Sequence, residues 1–144
     1  MAEQHLFRTS VQWQEQNKGT LSSPDLPQIA VATPPEFPGG HKGFWSPETL
    51  YVASAEACLM STFLAIAGNS KLEFSSYSSD AEGVVEKTDV GFQVIEIRIH
   101  AKVTIPDESR RDRALRILEK AEKYCLISNS MKTKVTLDPE IAIG

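Results

Sequence analysis

Residues 46–69 read SPETLYVASAEACLMSTFLAIAGN, and the fold hinges on how this stretch is interpreted. Ser46 is a side-chain N-cap, Pro47 suits the first helical position, and Glu48 places an acid in the first turn. From Leu50 to Ala67 nearly every residue is apolar or small, and Gly68-Asn69 offers a stop. The spacing predicts one helix from Pro47 to about Ala67 that is apolar around most of its circumference. Such a helix is buried on several sides, at a domain centre or a subunit interface. It is barely long enough to span a bilayer and carries Glu56 at its middle, so the reading is a buried helix and no membrane span.

Upstream, β-formers at residues 6–13 and at Thr20-Leu21-Ser22 flank Asn17-Lys18-Gly19, predicting a hairpin with its turn there. Ile29–Ala32 is a further short strand. Pro34, Pro35, Pro38, Gly39, Gly40 and Gly43 then impose an irregular loop, and loops of that length tend to carry function. Downstream, strands are expected over 72–87 and 91–105, joined at Thr88-Asp89-Val90-Gly91. In the second, Ile95, Ile97, Ile99, Ala101 and Val103 alternate with Val94, Glu96, Arg98, His100 and Lys102, which predicts one buried and one polar face. A second helix runs from Pro106-Asp107 to about Tyr124, Ser128-Asn129-Ser130 forms a turn or short capped helix, and Lys134–Leu137 is the last strand. The order β-β-β-α-β-β-α-β is an α+β domain with mainly antiparallel sheet, read as a single domain over 1–144.

Composition narrows the function. A formal charge of −4 with 15 scattered basic residues gives no phosphate-tracking stripe and so no nucleic-acid partner. Arg110, Arg111, Arg113 and Arg116 are offset by Glu108, Asp112 and Glu119, as on a solvated helix face. The N-terminus lacks the apolar stretch of a secretory signal, so a cytoplasmic location is expected, where two cysteines do not serve as a structural staple. There is no C-x-x-C, and His5, His41 and His100 keep no ligand spacing, so no metal site is expected. No phosphate-cradling or dinucleotide motif indicates a cofactor.

The cysteines remain. A peroxidatic thiol needs an ionised sulfur, an open approach and a second thiol to resolve the sulfenic acid. Around Cys58, helical neighbours Ser54, Ala55, Ser61, Thr62 and Ala65 are all small, which serves either substrate access or close helix packing. The helix dipole fades within the first turn, so a lowered pKa at Cys58 would call for a cation from another element. Glu48 lies about 15 Å away along the axis, out of reach of Cys58 within one straight helix. Cys125 follows a helix C-terminus and has apolar flanks, which disfavour its thiolate. If one attacks and the other resolves, Cys58 is the attacker.

The run Gly39-Gly40-His41-Lys42-Gly43-Phe44-Trp45-Ser46-Pro47-Glu48-Thr49-Leu50 with Ala55-Glu56-Ala57-Cys58 resembles the signature of the OsmC/Ohr family: a glycine-rich loop, then (Asn/Ser)-Pro-Glu-x-Leu, then a cysteine ten residues after the glutamate. Ala121-Glu122-Lys123-Tyr124-Cys125-Leu126-Ile127-Ser128-Asn129 is similar to the family's second-cysteine segment, with Leu126 where proline is usual. The resemblance implies an OsmC-like fold, antiparallel sheets wrapped around long central helices in an intertwined homodimer. It implies reduction of organic hydroperoxides to alcohols, with Cys58 forming the sulfenate, Cys125 closing a disulfide, and an external dithiol as reductant.

By the same resemblance, Glu48 is the acid that orients an arginine beside the thiolate. The family's arginine has no evident counterpart, since none occurs between Arg8 and Arg98; Lys18, Lys42 and Arg8 are the candidate cations. Lysine lacks the fork with which arginine grips carboxylate and thiolate together. His41 is either an acid–base group or an exposed loop residue, and Phe44 and Trp45 are expected at an apolar pocket mouth. The competing expectation is a non-catalytic dimer of the same fold that binds a small ligand or senses redox state.

Overall fold

A computed structural model describes residues 3–144, which divide into two compact units, the first ending at Leu50 and the second Tyr51–Gly144. The first holds an antiparallel sheet in the order β1-β2-β3, formed by Ser10–Glu15, Lys18–Ser22 and Ile29–Ala32. The hairpin turn is Gln16-Asn17, with Gln16 at a φ of 49°, rather than Asn17-Lys18-Gly19. Lys18 and Gly19 are already strand residues: Lys18 pairs with Glu15 and Gly19 with Trp13 across an irregularity in the register. The loop that follows is ordered by its own turns, with Phe37 N–H donating to Pro34, Gly40 N–H to Phe37 and His41 N–H to Thr33. Gly40 packs so closely on the backbone of Pro34 and Pro35 that a side chain has no room.

The helix predicted from residues 46–69 is α1, Pro47–Asn69. Its start is a reciprocal cap: Thr49 N–H donates to Ser46 Oγ at 3.1 Å, and Ser46 N–H to Thr49 Oγ1 at 2.8 Å. Its end lies past the expected glycine. Leu72 N–H donates to Ala67 O and Lys71 N–H to Gly68 O, with Lys71 itself in the left-handed region at φ 57°. That is a Schellman closure built on lysine.

The second unit is organised by β5, Gly91–Ile105, at the centre of the sheet β4-β5-β6. Strand β4, Ser76–Thr88, pairs with it antiparallel, and the joining turn is the expected one: Thr88 Oγ1 donates to Gly91 O, and Gly91 has φ 104°. Strand β6, Lys134–Ile143, runs six residues beyond the expected end and pairs with β5 in parallel. Its Pro139 is tolerated because β6 is an edge strand. A parallel neighbour requires a crossover, supplied by a 3-10 turn (Glu108–Arg110), α2 (Arg111–Lys123) and α3 (Leu126–Ser130).

Ile97, Ile99, Ala101, Val103 and Ile105 of β5 point inward, as the alternation predicts. They pack with Ala55, Leu59, Phe63 and Ala67 of α1 and Ala114, Ile117, Leu118 and Ala121 of α2. At the other end of β5 the phase reverses: Val94 packs on the core and Ile95 is exposed. A bulge between Val84 and Val85 leaves Ile95 without an opposite residue and turns the strand over. Two of the arginines read as a solvated face tie the unit together instead, Arg113 donating to Ser70 O and Arg111 to Ile141 O.

Among the described residues α1 alone is long and apolar enough to cross a membrane by length and composition. One of its faces is core, however, and Glu56 accepts a 2.6 Å hydrogen bond from Ser79 of β4.

Candidate active site

Cys58 lies midway along α1 and is half-buried; Cys125 lies between α2 and α3 and is fully buried, and both are free thiols. The crossover between β5 and β6 brings the 67-residue separation to contact. Ile127 N–H donates to Cys58 Sγ at 3.5 Å, and the Cys125 thiol is within hydrogen-bonding reach of the same sulfur. Cys125 serves as the N-cap residue of α3, with φ −65° and ψ 116°, and its own Sγ lies 4.0 Å from Ala55 O. On α1 itself, Thr62 Oγ1 is 3.9 Å from Cys58 Sγ while its hydrogen is given to Cys58 O at 2.8 Å.

This geometry sets the two thiols apart. Burial opposes ionisation of Cys58, but the Ile127 N–H, the Cys125 thiol, the Thr62 hydroxyl and the Leu126 N–H outweigh it and hold the thiol below the ordinary cysteine value. The groups that lower it are all neutral, so the cation expected from another element is not what does this work. Burial pushes Cys125 up, and Cys58 beside it adds to the rise against opposing bonds from Ser128. The pair thus contains one sulfur prepared to lose its proton and one prepared to keep it, the asymmetry expected from their flanks.

Nearby, Tyr77 of β4 is pushed up to about 12, first by burial and then by the negative charges of Glu56 and Cys125. Its ring stacks on Phe63 at 5.2 Å. Among the described residues its hydroxyl oxygen and Glu48 Oε1 are the buried side-chain oxygens without a hydrogen-bond partner. Glu48 is half-buried, with one of its two oxygens out of solvent and unpartnered.

The other candidates fall in the first unit and separate into two groups. Lys18, Phe44 and His41 come together: the Lys18 ammonium sits 5.4 Å over the Phe44 ring, and His41 meets that ring edge-on at 6.3 Å. Trp45 adjoins β3 through its backbone, its carbonyl accepting from Ala32 N–H at 2.9 Å, and its side chain is exposed. Lys42 is exposed in the loop, and Arg8 lies beyond the open end of the β1–β2 hairpin, where its carbonyl accepts from Ser23 Oγ.

The donors missed by sequence reading are backbone N–H groups of Leu126 and Ile127, which have no residue signature. Thr62 did have one, since a hydroxyl four residues past a cysteine shares its helix face. Among the described residues, no group of three or more His, Cys, Asp or Glu side chains is placed to hold a metal ion.

Comparison with known proteins gives the family and the fold. The family described as OsmC-like protein matches residues 39–140, a segment that contains both cysteines. The uncharacterised protein YmaD of Bacillus subtilis is 28% identical over 99% of this chain and 97% of its own length. Peroxiredoxin OsmC of Escherichia coli is 30% identical over 71% of this chain and 70% of that protein. An OsmC-like protein of unknown function from Vibrio cholerae superposes with a TM-score of 0.85 at 21% identity, covering 94% of this chain and 99% of that one. An organic hydroperoxide resistance protein from Legionella pneumophila superposes with a TM-score of 0.77 at 24% identity, covering 99% and 100%. The α+β fold with two sheets is shared with both structures.

Proposed function

The chain belongs to the OsmC-like protein family, and on that premise we propose that it is a thiol peroxidase that reduces organic hydroperoxides. A peroxidase-like role has family-level support from the peroxiredoxin and hydroperoxide-resistance relatives. The observation that carries the finer reading is the joined but unequal pair, Cys58 with a lowered pKa beside Cys125 with a raised one.

The Cys58 thiolate attacks the terminal peroxide oxygen, the O–O bond breaks, and the departing alkoxide takes a proton to leave as an alcohol. Cys58 is now a sulfenic acid. Cys125 attacks its sulfur, water leaves, and a Cys58–Cys125 disulfide remains. An external dithiol reduces that bond and is itself oxidised to a disulfide. The interaction between the two side chains supports resolution within the chain. Apolar residues around α1 favour an alkyl or lipid tail over hydrogen peroxide. By the family resemblance Glu48 is proposed to orient a cation for a thiolate, with Lys18, Lys42 and Arg8 as the candidate cations.

We further propose one soluble, cytoplasmic domain over residues 1–144 acting as a homodimer. Met60 and Leu64 are 39% and 42% exposed on the outer face of α1, beside exposed Ala57, Ser61 and Ala65. An apolar stripe of that extent on the helix that carries Cys58 suits a second copy of the same helix.

The test is consumption of cumene hydroperoxide with a dithiol donor in excess. Turnover by the intact protein, none by Cys58→Ser, and, with the dithiol left out, a single equivalent consumed by Cys125→Ala with a trappable sulfenic acid are the expected results. No consumption above the Cys58→Ser control refutes the peroxidase reading. A single equivalent from the intact protein, with no turnover, makes the pair a redox sensor instead.

A further inference from the structure

We propose that the Thr62 hydroxyl is a one-bond switch that gives its hydrogen to the Cys58 carbonyl while Cys58 is a thiol and turns it to the Cys58 sulfur when that sulfur ionises. The proposal deepens the peroxidase reading, on which its meaning for catalysis rests.

Three features of the geometry carry it. Thr62 is one helical turn beyond Cys58, and its Oγ1 faces two acceptors on that residue, the carbonyl at 2.8 Å and the sulfur at 3.9 Å. A hydroxyl has one hydrogen and two lone pairs. In the thiol state the S–H points to Oγ1 and the O–H to the carbonyl, a chain of two bonds with a single direction. In the thiolate state the sulfur has no hydrogen to give, so the chain must run the other way.

Reversal is inexpensive because the Cys58 carbonyl lies inside α1, where it also accepts the main-chain N–H four residues on. It keeps a partner when the hydroxyl leaves. Rotation about Cβ–Oγ1 is the only movement required, and neither backbone nor rotamer of the stiff β-branched side chain changes. The sulfur gains a hydrogen bond in the charged state, where such a bond is stronger than one between neutral groups. Ile127 N–H is fixed and serves both states; Thr62 is the donor whose direction follows the proton.

Thr62 is thus a positioning residue, and it can be tested without peroxide. Cys58 alkylation by iodoacetamide is followed against pH by peptide mass spectrometry of the intact two-cysteine chain, with far-UV circular dichroism as the check on folding. Thr62→Val keeps shape and branching and removes the hydroxyl; Thr62→Ser keeps the hydroxyl. The expected result is a midpoint raised by about one pH unit in Thr62→Val, equivalent to roughly tenfold slower alkylation at neutral pH, and restored in Thr62→Ser. If Thr62→Val fails to fold, Thr62→Ala takes its place with the same expectation. A folded hydroxyl-free variant with the wild-type midpoint, or a serine variant that does not restore it, overturns the proposal. A chain that never consumes hydroperoxide but shows the shift refutes the peroxidase reading and leaves the switch standing.

Discussion

The backbone N–H of Ile127 donates to the sulfur of Cys58 across 69 positions of sequence, at 3.5 Å. The acidity of Cys58 is therefore set by the junction between α2 and α3 more than by α1, in whose middle the cysteine sits. Of the neutral groups that lower its pKa, the Leu126 N–H contributes least. Leu126 is also the first residue of α3, a position that accepts proline, and Cys125 before it is already extended, as a residue preceding proline must be. Leu126→Pro is expected to leave stability nearly unchanged, the gain of about 0.4–1 kcal/mol through the unfolded state being offset by the lost N–H donor, with little change in the pH profile of Cys58 alkylation. Urea unfolding and the alkylation assay measure the two halves; a large upward shift of the Cys58 midpoint would move the main donor from Ile127 to Leu126.

The exposed stripe of α1 makes a second prediction. Leu64→Glu places a charge where the proposed homodimer requires apolar contact, and Leu64 is 42% exposed in the chain, so the isolated subunit tolerates it. Sedimentation is expected to move from dimer to monomer with secondary structure retained. A variant that sediments as the wild type does puts the dimer contact elsewhere.

His100 links stability to pH. It bridges two carboxylates on β6, Nδ1 to Asp138 and Nε2 to Glu140, each at 2.9 Å, with Asp80 of β4 opposite and Arg98 and Lys102 on its own strand. The hydrogen bond to Asp138, followed by that to Glu140, raises its pKa above the ordinary 6.5 despite some loss of hydration. A group bound more tightly to its proton in the folded chain stabilises fully below 6.5, and that contribution fades as pH rises through the raised folded value. The urea midpoint of the wild type relative to His100→Gln is expected to fall across this window. A difference that stays constant with pH removes His100 from the linkage.

Lys71 closes α1 in the left-handed region at φ 57°, a conformation costing a residue with a Cβ roughly 1–2 kcal/mol. Glycine escapes that cost but loses more entropy on folding. Lys71→Gly is expected to stabilise by up to about 1 kcal/mol in urea unfolding, whereas Lys71→Val destabilises. Equal midpoints for the two variants would refute the closure.

These sites show where the sequence was readable. The cap at Ser46-Pro47, the loop of prolines and glycines, the core face of β5 from Ile97 onward and both thiols were plain in the residues, because each depends on side-chain type at a local spacing. The end of α1 at Lys71 was hidden, since two glycine-like stop signals at Gly68-Asn69 lie inside the helix and solvent lets them stay helical. The exchange of Val94 and Ile95 was hidden as well, since a bulge on one strand is decided by its partner. Cys58's donors were the least legible part of the site. Main-chain N–H groups are common to every residue, and only the long-range path of the crossover aims two of them at a sulfur.

That path has a consequence for how the chain is made. Because β6 lies parallel to β5, the crossover bearing Cys125 is a closed loop only once residues 134–143 have docked. A ribosome delivers Cys58 and all of α1 well before that strand exists. Until residues 125–127 have been made and folded back, the earlier sulfur lacks the main-chain donors and the second thiol that lower its pKa. The acidity of that sulfur is thereby a property of the folded crossover and is absent from α1 alone.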